Sequence, residues 1–260
     1  MTSDSVLAAA RRVEHAWSAQ LSLADELGIA TAYACGAFPE SPAANLVRDA
    51  SLIDAAPADA FEQVERHFSQ RGATCLRWVP AAGEPVEPHA ALLSPRGWAR
   101  RDGCVLALRD WPTLPAVDRS VRIVPARAMR RALTATFLDP ADGGWSEATR
   151  RARAAELAER LNDANTDAFV ALIGDEPAGR AVYHEVGDLA ALRDLYVVSG
   201  MRGRGVARAM LAHLLLLARR LSPRMLLAFV PDSAAAARTL LERRGFDGAA
   251  ATVEFDRHGM

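Results

Sequence analysis

The chain has 260 residues, half of them hydrophobic and 24% charged, enough for one large domain or two smaller ones with a real core. Its net charge of −1 provides no overall positive field to draw nucleic acid or an anionic membrane. All 31 basic residues are arginine, which excludes lysine general bases, Schiff-base lysines and Walker-type phosphate loops, and which, with the abundant alanine, fits a GC-rich bacterial genome.

Cys35, Cys75 and Cys104 are odd in number and far apart, so reduced cytoplasmic thiols and no metal site are expected. The first residues lack the basic-then-apolar order of a signal peptide. No apolar run approaches the ~18–20 residues that a membrane helix needs.

In chain order, Val6, Val13, Trp17, Leu21 and Leu27 are spaced for a helix over 5–28. Strands are predicted at 29–35 and 45–53, with a proline-rich turn at 38–42 between them. A helix follows at 57–70 with Pro57 in its first turn, then a strand at 74–79, a short helix at 87–93 and a strand at 103–109. Pro112 and Pro115 mark 110–120 as a linker. The second half begins with a strand at 121–124 and helices at 126–138 and 146–161, the latter capped by Ser146. Strands at 168–173 and 179–186 flank the hairpin signal Gly174-Asp175-Glu176-Pro177, and a third strand covers 190–198. Next come Arg202-Gly203-Arg204-Gly205, a helix to Leu221, a strand at 225–230, a helix at 233–243 stopped by Gly245, and a strand at 251–255. The arginines and glutamates of 147–160 read as a solvated helix face.

The segment Arg202–Ala207 carries the chemistry. Amides at a helix start have no intrahelical acceptor and sit at the positive end of the helix dipole, where they suit a phosphate or diphosphate. Gly203 and Gly205 allow close approach, and Arg202, Arg204 and Arg208 add charge. A dinucleotide-binding GxGxxG would need a glycine where Arg208 stands and a preceding βαβ unit, and neither is present.

Leu195-Tyr196-Val197, then Arg202-Gly203-Arg204-Gly205-Val206-Ala207, then Gly245-Phe246, in this order of elements, resemble the signature of the GNAT acetyltransferase family over residues 121–256. The resemblance implies an α/β (α+β) fold, a mixed, mostly antiparallel twisted sheet flanked by helices. Residues 1–115 resemble the degenerate N-terminal half of a tandem GNAT protein, and 116–260 the complete domain. Leu46-Val47-Arg48-Asp49 echoes Leu192-Arg193-Asp194, but the loop 54–59 has no glycine, no arginine and two carboxylates. Only the C-terminal half is therefore expected to bind coenzyme A.

The resemblance further implies N-acetyl transfer from acetyl-CoA to a primary amine of a small molecule, peptide or protein, without a metal. The diphosphate would lie on Gly203, Arg204, Gly205, Val206 and Ala207, with Arg202 and Arg208 beside it, and the pantetheine along Leu195 and Val197. Leu241 stands where many members carry an acid tyrosine; Tyr196 and Tyr183 are the substitute acids to weigh against packed strand aromatics with their hydroxyls near the surface, and Glu185, Asp194 and His184 are the base candidates. A non-catalytic acyl-CoA sensor is the alternative. A tRNA-dependent aminoacyl transferase is disfavoured by the charge balance. Monomer and homodimer both stay open.

Overall fold

A computed structural model describes residues 2–113, 120–142 and 145–257. The elements are α1 (Ser3–Ala19), β1 (Ala24–Glu26), β2 (Thr31–Tyr33), β3 (Leu46–Ala50), α2 (Pro57–Gln70), β4 (Arg77–Pro80), α3 (Val86–Leu93) and β5 (Trp98–Leu108). They continue with β6 (Val121–Pro125), α4 (Arg130–Phe137), α5 (Glu147–Arg160), β7 (Thr166–Ile173), β8 (Glu176–Val186) and β9 (Leu189–Val197). The last are α6 (Val206–Leu221), β10 (Met225–Pro231), α7 (Ala235–Glu242) and β11 (Phe246–Arg257).

The chain forms two units, one of residues 1–13 and 104–250, the other of 14–103 and 251–260. The start of α1 is grouped with the C-terminal unit and the end of β11 with the other. Part of the expected linker, 114–119, lies outside the described residues.

In the C-terminal unit the strand order is β5-β10-β9-β8-β7-β6. Strands β6 to β9 pair antiparallel, and β9 and β10 pair parallel, giving a mixed sheet. Side chains alternate across a strand, so Ala190 and Leu192 face α6, packing with Met210, Leu211, Leu214, Leu226 and Ala228. Leu189 and Ala191 face the other way, against Val6, Ala9 and Val13 of α1. Burying each such leucine stabilises the fold by about 2 kcal/mol.

In the other unit the order is β1-β2-β3-β4-β11-β5. Its core gathers Val47, Val64, Phe68, Trp78, Leu93, Trp98 and Phe255 under α2 and α3.

Several sequence expectations change at element ends. The predicted 5–28 helix stops at Ala19, where the Ser18 hydroxyl donates to the Glu14 carbonyl and the chain turns into β1. The predicted 126–138 helix is a 3-10 turn at Ala126–Ala128 followed by α4. The hairpin turn is only Gly174-Asp175, since Ile173 already opposes Glu176 and Gly174 takes a φ of 60°. The 147–160 face is not wholly solvated. Glu147–Arg151 is exposed, but the Glu156–Arg160 pair, 2.6 Å apart, is buried, because the ~100° turn per residue puts both on the flank of Ala154 and Leu157.

Candidate functional site

Strand β9 ends one arm of the site. The parallel ladder joins Leu189–Leu192 to Met225–Ala228 and stops there, although β9 runs on to Val197 and β10 to Pro231. Beyond Leu192 no further β9–β10 pair forms among the described residues, so the stretch with Leu195 and Val197 on β9 and with Phe229 and Val230 on β10 lies outside the ladder; this unpaired stretch is the gap. The break coincides with a bulge. Val182 opposes Arg193 but Arg180 opposes Tyr196, so β9 carries one extra residue. Asp194 sits at that bulge with φ of 49°, a left-handed conformation that Asp accepts more readily than most residues.

The other arm is the start of α6. Gly205 caps this 16-residue helix with φ of 81°, and Gly203 has φ of 76° with open space where a Cβ would stand. Among the described residues, the amides of Gly205, Val206, Ala207 and Arg208 donate to no protein acceptor, and the first turn holds no acidic side chain. Arg202, Arg204 and Arg208 are exposed around them. The Arg202 Nε donates to the Val197 carbonyl at 3.3 Å, and its guanidinium lies 5.8 Å from the Tyr196 ring centre. A site with free amides, a helix dipole and three arginines can hold a diphosphate.

A buried ionic cluster backs the bulge. The fully buried Arg180 of β8 meets both oxygens of Asp194, at 2.7 and 3.0 Å. It also donates to Asp142 Oδ2 and to the Thr136 carbonyl, each at 2.8 Å. Its guanidinium stacks between the rings of Phe137 and Tyr196, 3.6 and 4.5 Å from their centres. Arg153 approaches Asp142 and Asp194 at 3.6 and 3.4 Å. Burial opposes ionisation of Asp194, but the charges of Arg180 and Arg153 outweigh it and hold the carboxyl below its usual range.

Asp139, in the loop after α4, is a second buried carboxylate. It accepts the Ser199 amide at 2.5 Å, the Ser199 hydroxyl at 3.0 Å, the Tyr196 hydroxyl at 2.8 Å and the Ala141 amide at 3.1 Å. Burial again opposes the charge, yet these donors keep Asp139 more acidic than usual. The loop after α4 is thus tied to the turn that leads into the amides of α6.

The three residues expected to be catalytic sit as follows. Glu185 opposes Ala190, which lies in the paired part of the β9–β10 ladder. Asp194 is four residues further along β9, about 13 Å at strand rise, so Glu185 does not reach the gap. Asp194 does border it, but an ion-paired carboxylate with a lowered pKa is a weak base. Tyr196 borders it too, but burial and then its hydrogen bond to Asp139 raise its pKa, so it holds its proton. By contrast Leu195, Val197, Arg202, Gly203, Arg204, Gly205, Val206, Ala207 and Arg208 all fall at the gap or the helix start. Gly143 and Gly144 lie outside the described residues; Trp145 beside them stacks 5.7 Å from the Arg153 guanidinium.

Arg180, Asp142 and Asp139 escaped the sequence reading. Arg180 had a signal, being a charge in a strand of buried Ala178, Ala181, Val182 and Tyr183, which demands a partner. Tyr183 also differs from expectation: its hydroxyl is buried rather than near the surface. Among the described residues, no group of three or more His, Cys, Asp or Glu is placed to hold a metal, and no helix is long and apolar enough to cross a membrane.

The other unit repeats the bulge without the gap. Thr31 opposes Arg48, and Ser51 donates to the Ile29 carbonyl at 2.8 Å, so β3 also carries an extra residue, at Asp49 with φ of 53°. Here the ladder with β4 resumes: Ala50 opposes Pro80, and the Ala81 amide donates to the Ala50 carbonyl at 2.8 Å.

A strand that leaves its parallel ladder at a bulge is thus followed by a glycine-capped helix with free amides, an arrangement that can hold a diphosphate. Residues 127–246 match the model of the acetyltransferase (GNAT) family, and the chain carries a GNAT domain there. Among solved structures, a functionally unknown conserved protein from Staphylococcus epidermidis is similar with a TM-score of 0.70 and 12% identity, covering 91% of this chain and 93% of that one. A GCN5-related N-acetyltransferase from Kribbella flavida has a TM-score of 0.60 and 14% identity, covering 98% and 96%. A tandem GNAT protein from the clavulanic acid biosynthesis pathway has a TM-score of 0.50 and 14% identity, covering 78% and 70%. At these identities the likeness concerns the fold. No curated protein sequence matches the chain.

Proposed function

We infer that this protein is an N-acetyltransferase that uses acetyl-CoA and transfers its acetyl group directly to a primary amine. The observation that carries the reading is the pairing of the free amides of 205–208 with the gap beside Leu195 and Val197 in one unit. The diphosphate would rest on the helix start with Arg202, Arg204 and Arg208 around it. The pantetheine would lie along β9 as an added strand, using main-chain groups that β10 leaves unpaired. An amide of β9 would polarise the thioester carbonyl. The neutral amine attacks the carbonyl carbon; a C–N bond forms, the C–S bond breaks, the amine proton passes to solvent and the thiolate takes one from water.

The acceptor is a small molecule or a peptide or protein amine. The second unit would not bind a second acetyl-CoA, because its ladder closes at Ala50–Pro80 and its helix begins with Pro57 and no glycine. A non-catalytic acyl-CoA binder is the second reading. It draws on Leu241, buried in the core where many relatives carry an acid tyrosine, and on the committed protons and charges of Tyr196 and Asp194.

Thiol release from acetyl-CoA with a panel of amines separates the two readings. The transferase reading expects amine-dependent thiol release. Stabilisation by acetyl-CoA with no thiol release from any amine would replace it by the binder.

A further inference from the structure

We propose that Arg180 is the positioning residue that opens the coenzyme gap, by drawing the bulge of β9 toward β8 and away from β10. The inference rests on the acyl-CoA reading of the gap and explains why only one of two similar bulges forms one.

Both units place an Arg-Asp pair at a bulge, Arg193-Asp194 and Arg48-Asp49, with nearly equal backbone twist, φ of 49° and 53°. The bulge alone therefore does not split the sheet. The partner of the aspartate differs. Counting from the opposed pairs Val182–Arg193 and Thr31–Arg48, two residues back on the neighbouring strand give Arg180 in one unit and Ile29 in the other. Asp194 is gripped through both oxygens by a guanidinium rooted on β8, the strand on the far side from β10. Asp49 instead meets His15 of α1 at 2.5 Å, and His15 in turn meets the Tyr33 hydroxyl at 2.7 Å. That link reaches Tyr33 of β2 only through a helix side chain, whereas Asp194 is held directly by a side chain of the neighbouring strand at the bulge itself. With Arg180 the ladder to the parallel neighbour ends before the bulge; with Ile29 it resumes one residue after it.

Arg180 is itself immobilised. Two carboxylates and a carbonyl accept four hydrogen bonds from it and two rings sandwich it, so the clamp holds one geometry. Asp142 binds the same guanidinium, which extends the clamp to the loop after α4.

The test is calorimetric titration of the full chain with acetyl-CoA and, separately, with ADP, a probe that needs the helix-start amides but not the gap. Asp194→Ala should weaken acetyl-CoA at least tenfold and leave ADP within about twofold. Asp194→Asn, which keeps the twist and an oxygen for Arg180, should retain acetyl-CoA within about threefold. Arg180→Ile, the residue of the closed unit, should reproduce the split. A general loss of folding would lower both ligands together, and that outcome, or unchanged acetyl-CoA affinity in Asp194→Ala, overturns the clamp. A wild-type chain that binds neither ligand overturns the acyl-CoA reading and the clamp with it.

Discussion

Gly179 on β8 leaves no room for a side chain. A Cβ there would stand 2.6 Å from the Tyr196 carbonyl oxygen and 3.2 Å from Met210 and Val206. The backbone atom cannot yield without shifting β9 beside the bulge. Gly179→Ala should cost about 2 kcal/mol and lower Tm by about 4–8 °C, measured by thermal unfolding. His184 makes a second residue-scale prediction. Burial first, and then the charge of Arg193, depress its pKa to about 4, against ~6.5 in an unfolded chain. As pH falls the unfolded state takes up the proton first. The stability that neutral His184 contributes is thus complete above about pH 6.5, declines toward pH 4 and levels off below it. Between pH 7 and 5 the wild type should lose about 2 kcal/mol through this group. His184→Gln should flatten that slope in urea unfolding, and an unchanged slope would refute the assignment.

At the scale of elements, Ser146 accepts the Thr149 amide at 3.1 Å and caps α5 at an exposed position. Ser146→Ala should cost about 1 kcal/mol, read as a small fall in Tm with acetyl-CoA affinity unchanged. The β9–β10 pair makes a sharper prediction. Amides of β9 within the paired stretch should exchange slowly without ligand, and acetyl-CoA should newly protect amides in 193–197. Equal protection with and without ligand would mean that nothing pairs with the open stretch.

The elements themselves were legible because their signals are local. Apolar spacing marked α6, serine marked the α5 cap, and glycines at positive φ marked the start of α6. The bulge and its clamp were not legible, because the residues that meet Arg180 lie 14 and 38 positions away in a chain with 31 arginines. Nothing local says which aspartate each arginine finds. Glu185 misled for a related reason: a strand end reads as close to a cleft until the register shows at which end of the sheet the cleft opens.

For the whole molecule, each unit presents one Asp-bearing bulge, and only in the unit that contains β9 and β10 does the parallel ladder fail to resume after it. Internal similarity of sequence, Leu46-Val47-Arg48-Asp49 against Leu192-Arg193-Asp194, thus accompanies a difference in what the sheet leaves unpaired. The proposed reading therefore predicts one ligand site per chain. The most direct measurement is a calorimetric titration of acetyl-CoA into the full chain and into Gly205→Asp. Aspartate tolerates the left-handed twist of residue 205 but puts a carboxylate where the diphosphate would rest. The wild type should bind one acetyl-CoA per chain, and Gly205→Asp, with its thermal unfolding little changed, should bind none detectably. Two sites per chain, or full affinity in the variant, would contradict the account.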